Sequence, residues 1–132
     1  MIIQIDLESE VPIYLQLMHS IKEGIATREL SPGDTLPSVR ALASDLGVNM
    51  HTVNKTYQYL KQEDLILIHR QKGVVVNPHL PAADQAFLSQ LDEDLYRLAV
   101  DAICRGMKEE QFMERCRAMF QKVQTKRKGD GQ

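Results

Sequence analysis

The sequence predicts a mainly α-helical fold with one small β wing, and three observations predict it. Five segments repeat apolar residues at helical spacing, two short β-branched runs stand together in mid-chain, and Gly and Pro residues mark the transitions between them. The 132 residues suffice for one small domain with an appendage and are too few for two large domains. With 43% hydrophobic and 26% charged residues, the chain can bury a core.

Ile3, Ile5 and Leu7 alternate with polar residues, as in a short strand. Val11-Pro12 then opens a helix in which Ile13, Leu17, Ile21 and Ile25 recur every four residues beside Tyr14 and Met18, running to about Glu29. Ser31-Pro32-Gly33-Asp34 stops it. Pro37 and Ser38 start a short helix with Val39, Leu42, Ala43 and Leu46 as its apolar face, and Gly47 ends it. Asn49 is a good N-cap for the next helix, whose inward stripe is Val53, Tyr57 and Leu60. Two helices parted only by Gly47-Val48-Asn49 form a helix-turn-helix signature. Leu65-Ile66-Leu67-Ile68 and Val74-Val75-Val76 read as a β-hairpin with Arg70, Gln71 and Lys72 at its tip, which makes the unit a winged helix-turn-helix over 1–77.

Pro78 and Pro81 can continue neither element, so 78–83 reads as a linker. From 84 to about 105, Leu88, Leu91, Leu95, Leu98 and Ala102 alternate three- and four-residue steps, the seam of helices that pack side by side. After Gly106, Phe112, Cys116, Met119 and Val123 repeat the steps, with Met113 and Phe120 widening the stripe. A two-helix hairpin over 84–125 is expected, followed by a flexible tail over 126–132. The two seams hold more apolar surface than one helix pair can bury against itself, so the excess is expected to pack on a second copy as a homodimer.

Net charge is −2 and the sequence pI near 6.1, which counts mildly against nucleic acid. The average conceals a gradient. Residues 1–36 carry two bases against six acids, whereas in 37–76 five bases (Arg40, Lys55, Lys61, Arg70, Lys72) outweigh Asp45, Glu63 and Asp64. The central stretch is where a phosphate backbone would be tolerated. With Val53, Tyr57 and Leu60 turned inward, the third helix presents His51, Lys55 and Gln58, flanked by Thr52 and Asn54. These groups suit the major groove: Asn and Gln can bridge adenine, Lys can reach guanine or phosphate, and a Thr methyl can meet a thymine methyl. A solvated helix face accommodates any one of them equally well. The basic cluster Lys126-Arg127-Lys128 reads as a solvated terminal run rather than a DNA contact.

The string Leu30-Ser31-Pro32-Gly33-Asp34-Thr35-Leu36-Pro37-Ser38-Val39-Arg40-Ala41-Leu42-Ala43, followed by Gly47-Val48-Asn49, Thr52-Val53 and Tyr57-Gln58-Tyr59-Leu60, resembles the GntR family of bacterial regulators. The resemblance implies a regulator of transcription that binds double-stranded DNA through Arg40, the third helix and the wing tip. On that basis the candidate DNA-binding residues are Ser38, Arg40, Asn49, His51, Thr52, Asn54, Lys55, Gln58, Arg70, Gln71, Lys72 and Gly73. A guanidinium at a helix N-terminus can fork onto a phosphate or a guanine, whereas the competing surface pair with Asp45 is worth little. There are departures from the family. Met50 and His51 stand where many relatives carry Arg or Lys, Gln71 replaces the first Gly of a Gly-x-Gly wing tip, and Val75 takes an aromatic position. The short segment after Pro81 is similar to the YtrA-type subfamily, which implies a dimerising helical C-terminus (here Leu88, Leu91, Leu95, Leu98, Phe112, Cys116, Met119 and Phe120) and a repressor of its own or a neighbouring operon, often a transporter operon in that subfamily; the two-fold symmetry of such a dimer predicts an inverted-repeat operator.

No chemistry of another kind competes. Gly-x-Ser-x-Gly and Gly-rich phosphate loops are absent from the sequence, and His19, His51, His69 and His79 lack ligand spacing, so neither an enzyme, a cofactor nor a metal is expected. Cys104 and Cys116 read as packing residues before they read as a redox pair. The start of the chain lacks the apolar run of a signal peptide and no stretch suits a membrane span, which points to the cytoplasm. Two rival readings stay open: a winged helix that docks a protein, and a sensor holding an apolar small molecule between wing domain and the Met-rich hairpin (Met107, Met113, Met119).

Overall fold

The computed structural model describes residues 3–127, among which there are five α-helices and three short strands. One compact unit runs to Leu80, and a second spans Pro81–Lys126.

The first unit is built on α1 (Ile13–Ala26), α2 (Val39–Leu46) and α3 (Met50–Gln62). Leu17, Ile21 and Ile25 of α1 meet Leu42 and Ala43 of α2 and Val53, Tyr57 and Leu60 of α3 in one core. Removing each such large side chain from water contributes about 1.5–3 kcal/mol, so packing rather than propensity holds these short helices. α1 stops earlier than its apolar pattern suggests. Thr27 turns its hydroxyl back onto the Glu23 carbonyl at 2.8 Å and Arg28 takes φ +63, so the helix is closed before Glu29.

Ser31-Pro32-Gly33-Asp34 forms a tight turn in which the Asp34 N–H donates to the Ser31 carbonyl and Gly33 sits at φ +89, the positive value that a Pro-Gly centre supplies. Asp34 Oδ2 accepts from the Ser31 N–H at 2.8 Å. The turn delivers β1 (Thr35–Leu36), a two-residue strand the sequence pattern does not announce. β1 pairs antiparallel with β3 (Gly73–Val76), which in turn pairs with β2 (Ile66–His69), giving the order β1-β3-β2. Ile66, Val74 and Val76 complete the core beneath the sheet.

The strand expected at Ile3–Leu7 does not form. Ile3 and Ile5 pack against the core as irregular chain, and Leu7 is exposed. Gln16 holds this segment instead: its amide nitrogen donates to the Asp6 and Val11 carbonyls while its oxygen accepts from the Asp6 N–H. Side-chain bonds of this kind satisfy the backbone that a strand would have paired.

In the second unit, Asp84 caps α4 (Gln85–Cys104) through the Phe87 N–H, and Gly106 at φ +75 turns the chain into α5 (Glu109–Lys126). The helix pair opens from that turn rather than closing along its seams. Ala102 is buried, whereas Leu95, Leu98 and Phe120 expose 40%, 56% and 69% of their surface. Leu88, Leu91 and Met119 are exposed too, and Phe112 is half-buried. Cys116 is exposed as well, and both cysteines are free thiols. The expected tail at 126–132 begins with Lys126, the last residue of α5, and Lys128 onward lies outside the described residues.

Candidate nucleic-acid interface

Three groups of candidate residues belong to the first unit. At the start of α2, the Ser38 side chain accepts from the Ala41 N–H at 3.0 Å, so its oxygen is used as an N-cap while the helix N-terminus stays exposed. Arg40 follows two residues on. It is exposed, and no ion pair or hydrogen bond engages its guanidinium among the described residues, so Asp45 is not its partner. Beneath it, the Tyr57 hydroxyl donates to the Pro37 carbonyl at 2.7 Å and ties the entry of α2 to α3. Burial pushes the Tyr57 phenol up to about 12, because the phenolate would lose its water there.

The turn between the helices is set by Gly47, a left-handed cap at φ +68 whose successor, Val48, returns a hydrogen bond to the Ala43 carbonyl. Asn49 then caps α3 by accepting from the His51 N–H at 2.7 Å. Val53, Thr56, Tyr57 and Leu60 are buried, and His51, Asn54, Lys55 and Gln58 are exposed with Thr52 half-buried beside them. This is the division into an inner and an outer face that reading a groove requires.

At the wing, His69 pairs with Gly73 across the hairpin, and Arg70, Gln71 and Lys72 are exposed at the tip. Gly73 takes φ +75 with open space where a Cβ would stand, so its backbone angle is the reason for glycine. Gln71 is not at positive φ, and the missing first glycine therefore costs the hairpin no strain. Val75, in place of an aromatic, is buried in register with Thr35 and Leu67.

One arrangement escapes the sequence reading. The Lys55 ammonium lies 4.0 Å from the centroid of the Tyr14 ring and 6.0 Å from that of Tyr59, and the two rings stack at 5.7 Å with 28° between their planes. The one-turn spacing of Lys55 and Tyr59 is a signal that was available. Tyr14 could be found only through the packing of α1 on α3.

A three-helix core with a β wing, a polar outer face on the second helix of the turn and an unengaged arginine at the start of the first defines a winged helix-turn-helix regulator. The pattern of the bacterial regulatory proteins of the gntR family matches residues 13–76. The HTH-type transcriptional repressor YtrA of Bacillus subtilis (strain 168) is 33% identical over 129 residues, covering 97% of this chain and 99% of the relative. A crystal structure of a transcriptional antiterminator from Listeria monocytogenes EGD-e superposes with a TM-score of 0.85 at 27% identity, over 93% of this chain and 92% of that one. YtrA from Sulfolobus acidocaldarius, a GntR-family transcription factor, gives a TM-score of 0.62 at 46% identity over 76% of this chain and 99% of its own. The chain belongs to the GntR family and is a DNA-binding transcriptional regulator, not an enzyme. Among the described residues no helix is long and apolar enough to cross a membrane.

Proposed function

We propose that the protein is a cytoplasmic repressor that binds an inverted-repeat operator as a homodimer. Residues 1–77 hold the DNA, 78–83 link, and 84–125 dimerise. The observation that carries the DNA contact is the exposed Arg40 at the α2 N-terminus, free of any internal partner among the described residues, beside an α3 whose outer face is a row of donors and acceptors. A surface ion pair would have been the ordinary fate of such an arginine; its freedom favours an anionic partner. Ser38, Asn49, His51, Thr52, Asn54, Lys55, Gln58 and the wing residues Arg70, Gln71, Lys72 and Gly73 complete the contact. The repressor assignment is supported by the name of the Bacillus subtilis relative. Control of its own or a neighbouring operon, of the transporter kind, follows from the subfamily likeness.

Homodimerisation is supported by the uncovered seams. Leu98, Ala102, Met107, Phe112, Cys116 and Met119 line an apolar groove within the second unit that a partner's helix can fill. Two-fold symmetry of the protein demands two-fold symmetry of the site, with half-sites about one DNA turn apart or a small multiple of it. Selection of bound duplexes from a random pool, with the purified full chain, tests the proposal. Enrichment of an inverted repeat is the expected result, and a pool that emerges unchanged would refute it.

A further inference from the structure

Lys55 is the cation on the outer face of α3, yet its ammonium does not stand alone in solvent. It rests against the stacked rings of Tyr14 and Tyr59. Lys55 and Tyr59 are one turn apart on α3, whereas Tyr14 comes from the first turn of α1, brought there by the packing of Leu17 and Ile21 against the inner face of α3. A residue of α1 therefore fixes where a charge of α3 sits. On the helical wheel Lys55 stands between His51 and Tyr59, with Gln58 and then Asn54 further round on the side away from Tyr59, so it is the contact with the two rings that draws its ammonium off the outer face.

We propose that Tyr14 and Tyr59 are positioning residues: their stacked rings hold the Lys55 ammonium for a DNA phosphate at the edge of the groove and withdraw it from base reading, which is left to His51, Asn54 and Gln58. The inference rests on the proposed DNA contact by α3. A lysine is a point charge on a flexible stem, and ordering that stem is a cost of every contact it makes. The faces of the two rings attract the ammonium and order the stem before DNA arrives, while the exposed side of Lys55 keeps N–H donors toward solvent. A phosphate asks only for a nearby positive charge. A base edge asks for donors carried into the centre of the groove, and the tether to α1 pulls Lys55 away from there.

The test compares wild type, Tyr14→Leu, Tyr14→Phe, Lys55→Met and the Tyr14→Leu/Lys55→Met double variant on two duplexes of equal length, the best sequence selected from a random pool and a scrambled one. Tyr14→Leu should weaken both duplexes about three- to tenfold, and Tyr14→Phe, which keeps the ring face, should weaken neither. Lys55→Met should weaken both and lower the salt slope by about one. In the Lys55→Met background, Tyr14→Leu should add no further loss. Tyr59→Leu, whose ring lies at the surface, gives the same readout should Tyr14→Leu fail to fold. The cradle is overturned by wild-type affinity in the leucine variants, by a loss that persists without Lys55, or by a Lys55→Met effect confined to one base position of the selected duplex. Wild-type protein that retains neither duplex would remove the parent reading and the cradle together, whereas wild-type binding with indifferent leucine variants removes the cradle alone.

Discussion

Of the residues in the family-specific string, most serve the fold. Pro32 and Gly33 make the turn, Asp34 ties it to Ser31, Leu36 enters the core and Ser38 caps α2. Arg40 is the residue left over, since no interaction of its own engages it among the described residues. Arg40→Ala should therefore lower operator affinity by about 1–3 kcal/mol, or roughly 5- to 150-fold, with an unchanged thermal midpoint; anisotropy titration beside a melting curve reads both quantities. Tyr57 makes the opposite case, a residue on the helix that faces DNA whose work is internal. Tyr57→Phe abandons the hydrogen bond to the Pro37 carbonyl and should cost about 1 kcal/mol at neutral pH. The pH dependence follows from its raised phenol. A pKa pushed up to about 12 in the folded chain, against 10.0 ordinarily, favours folding below pH 10, and that advantage is lost as pH climbs from 10 through 12. Wild type should lose on the order of 2–3 kcal/mol more than Tyr57→Phe over that window, and parallel denaturant curves at pH 9 and above would expose an error here as two lines that never converge.

Elements were legible in the sequence where apolar spacing and capping residues lie within the element itself. α2, the turn at Gly47, α3 with its Asn49 cap, both strands of the wing and the beginnings of α4 and α5 fall where spacing and caps place them. What could not be read depends on contacts made after folding. β1 is two residues long and exists because β3 pairs with it, and the alternation at Ile3–Leu7 yields no strand because Gln16 supplies the hydrogen bonds instead. The Tyr14 contact to Lys55 is of the same kind, since no periodicity within α1 points to a lysine of α3. The turn between α2 and α3 is open to a direct test at this scale. A Cβ added at Gly47 meets nothing within 4 Å, so Gly47→Ala carries only the strain of a left-handed φ of +68, about 1–2 kcal/mol by urea unfolding. A much larger loss would mean that the turn holds more than its backbone angle. The wing tip is the other element in question. Lys72→Ala should weaken selected and scrambled duplexes alike and lower the salt slope by about one, because a lysine on a hairpin tip meets phosphate; a change in preferred sequence would instead make the wing a base reader.

At the scale of the whole molecule, the two units differ in what they bury. The first closes a core in which Leu17, Ile21, Val53, Tyr57, Leu60, Ile66 and Val76 reach zero exposure, while the second leaves leucines, methionines and phenylalanines of both helices open to water. A helix pair of that composition has little reason to stay helical in isolation, because amphipathic helices draw most of their stability from a covered face. The missing cover is a second copy in the proposed function, and that assignment separates the effects of two kinds of change. Leu95→Glu together with Leu98→Glu places carboxylates where a partner's apolar surface would arrive, an arrangement costly enough to dissociate an interface of modest size. The variant should run as a monomer by light scattering, bind a half-site only weakly, and keep the near-ultraviolet signal of the Tyr57 core. A chain ending at Leu80 should behave in the same way, since every residue of that core precedes it. The selected operator should then show its symmetry in the loss: the full-length dimer binds two half-sites far more tightly than one, because the second contact is intramolecular, whereas the monomeric forms bind one half-site and two half-sites with equal affinity per site. A stable dimer in the chain ending at Leu80 would move the interface into the first unit and leave the open seams of α4 and α5 to a different partner.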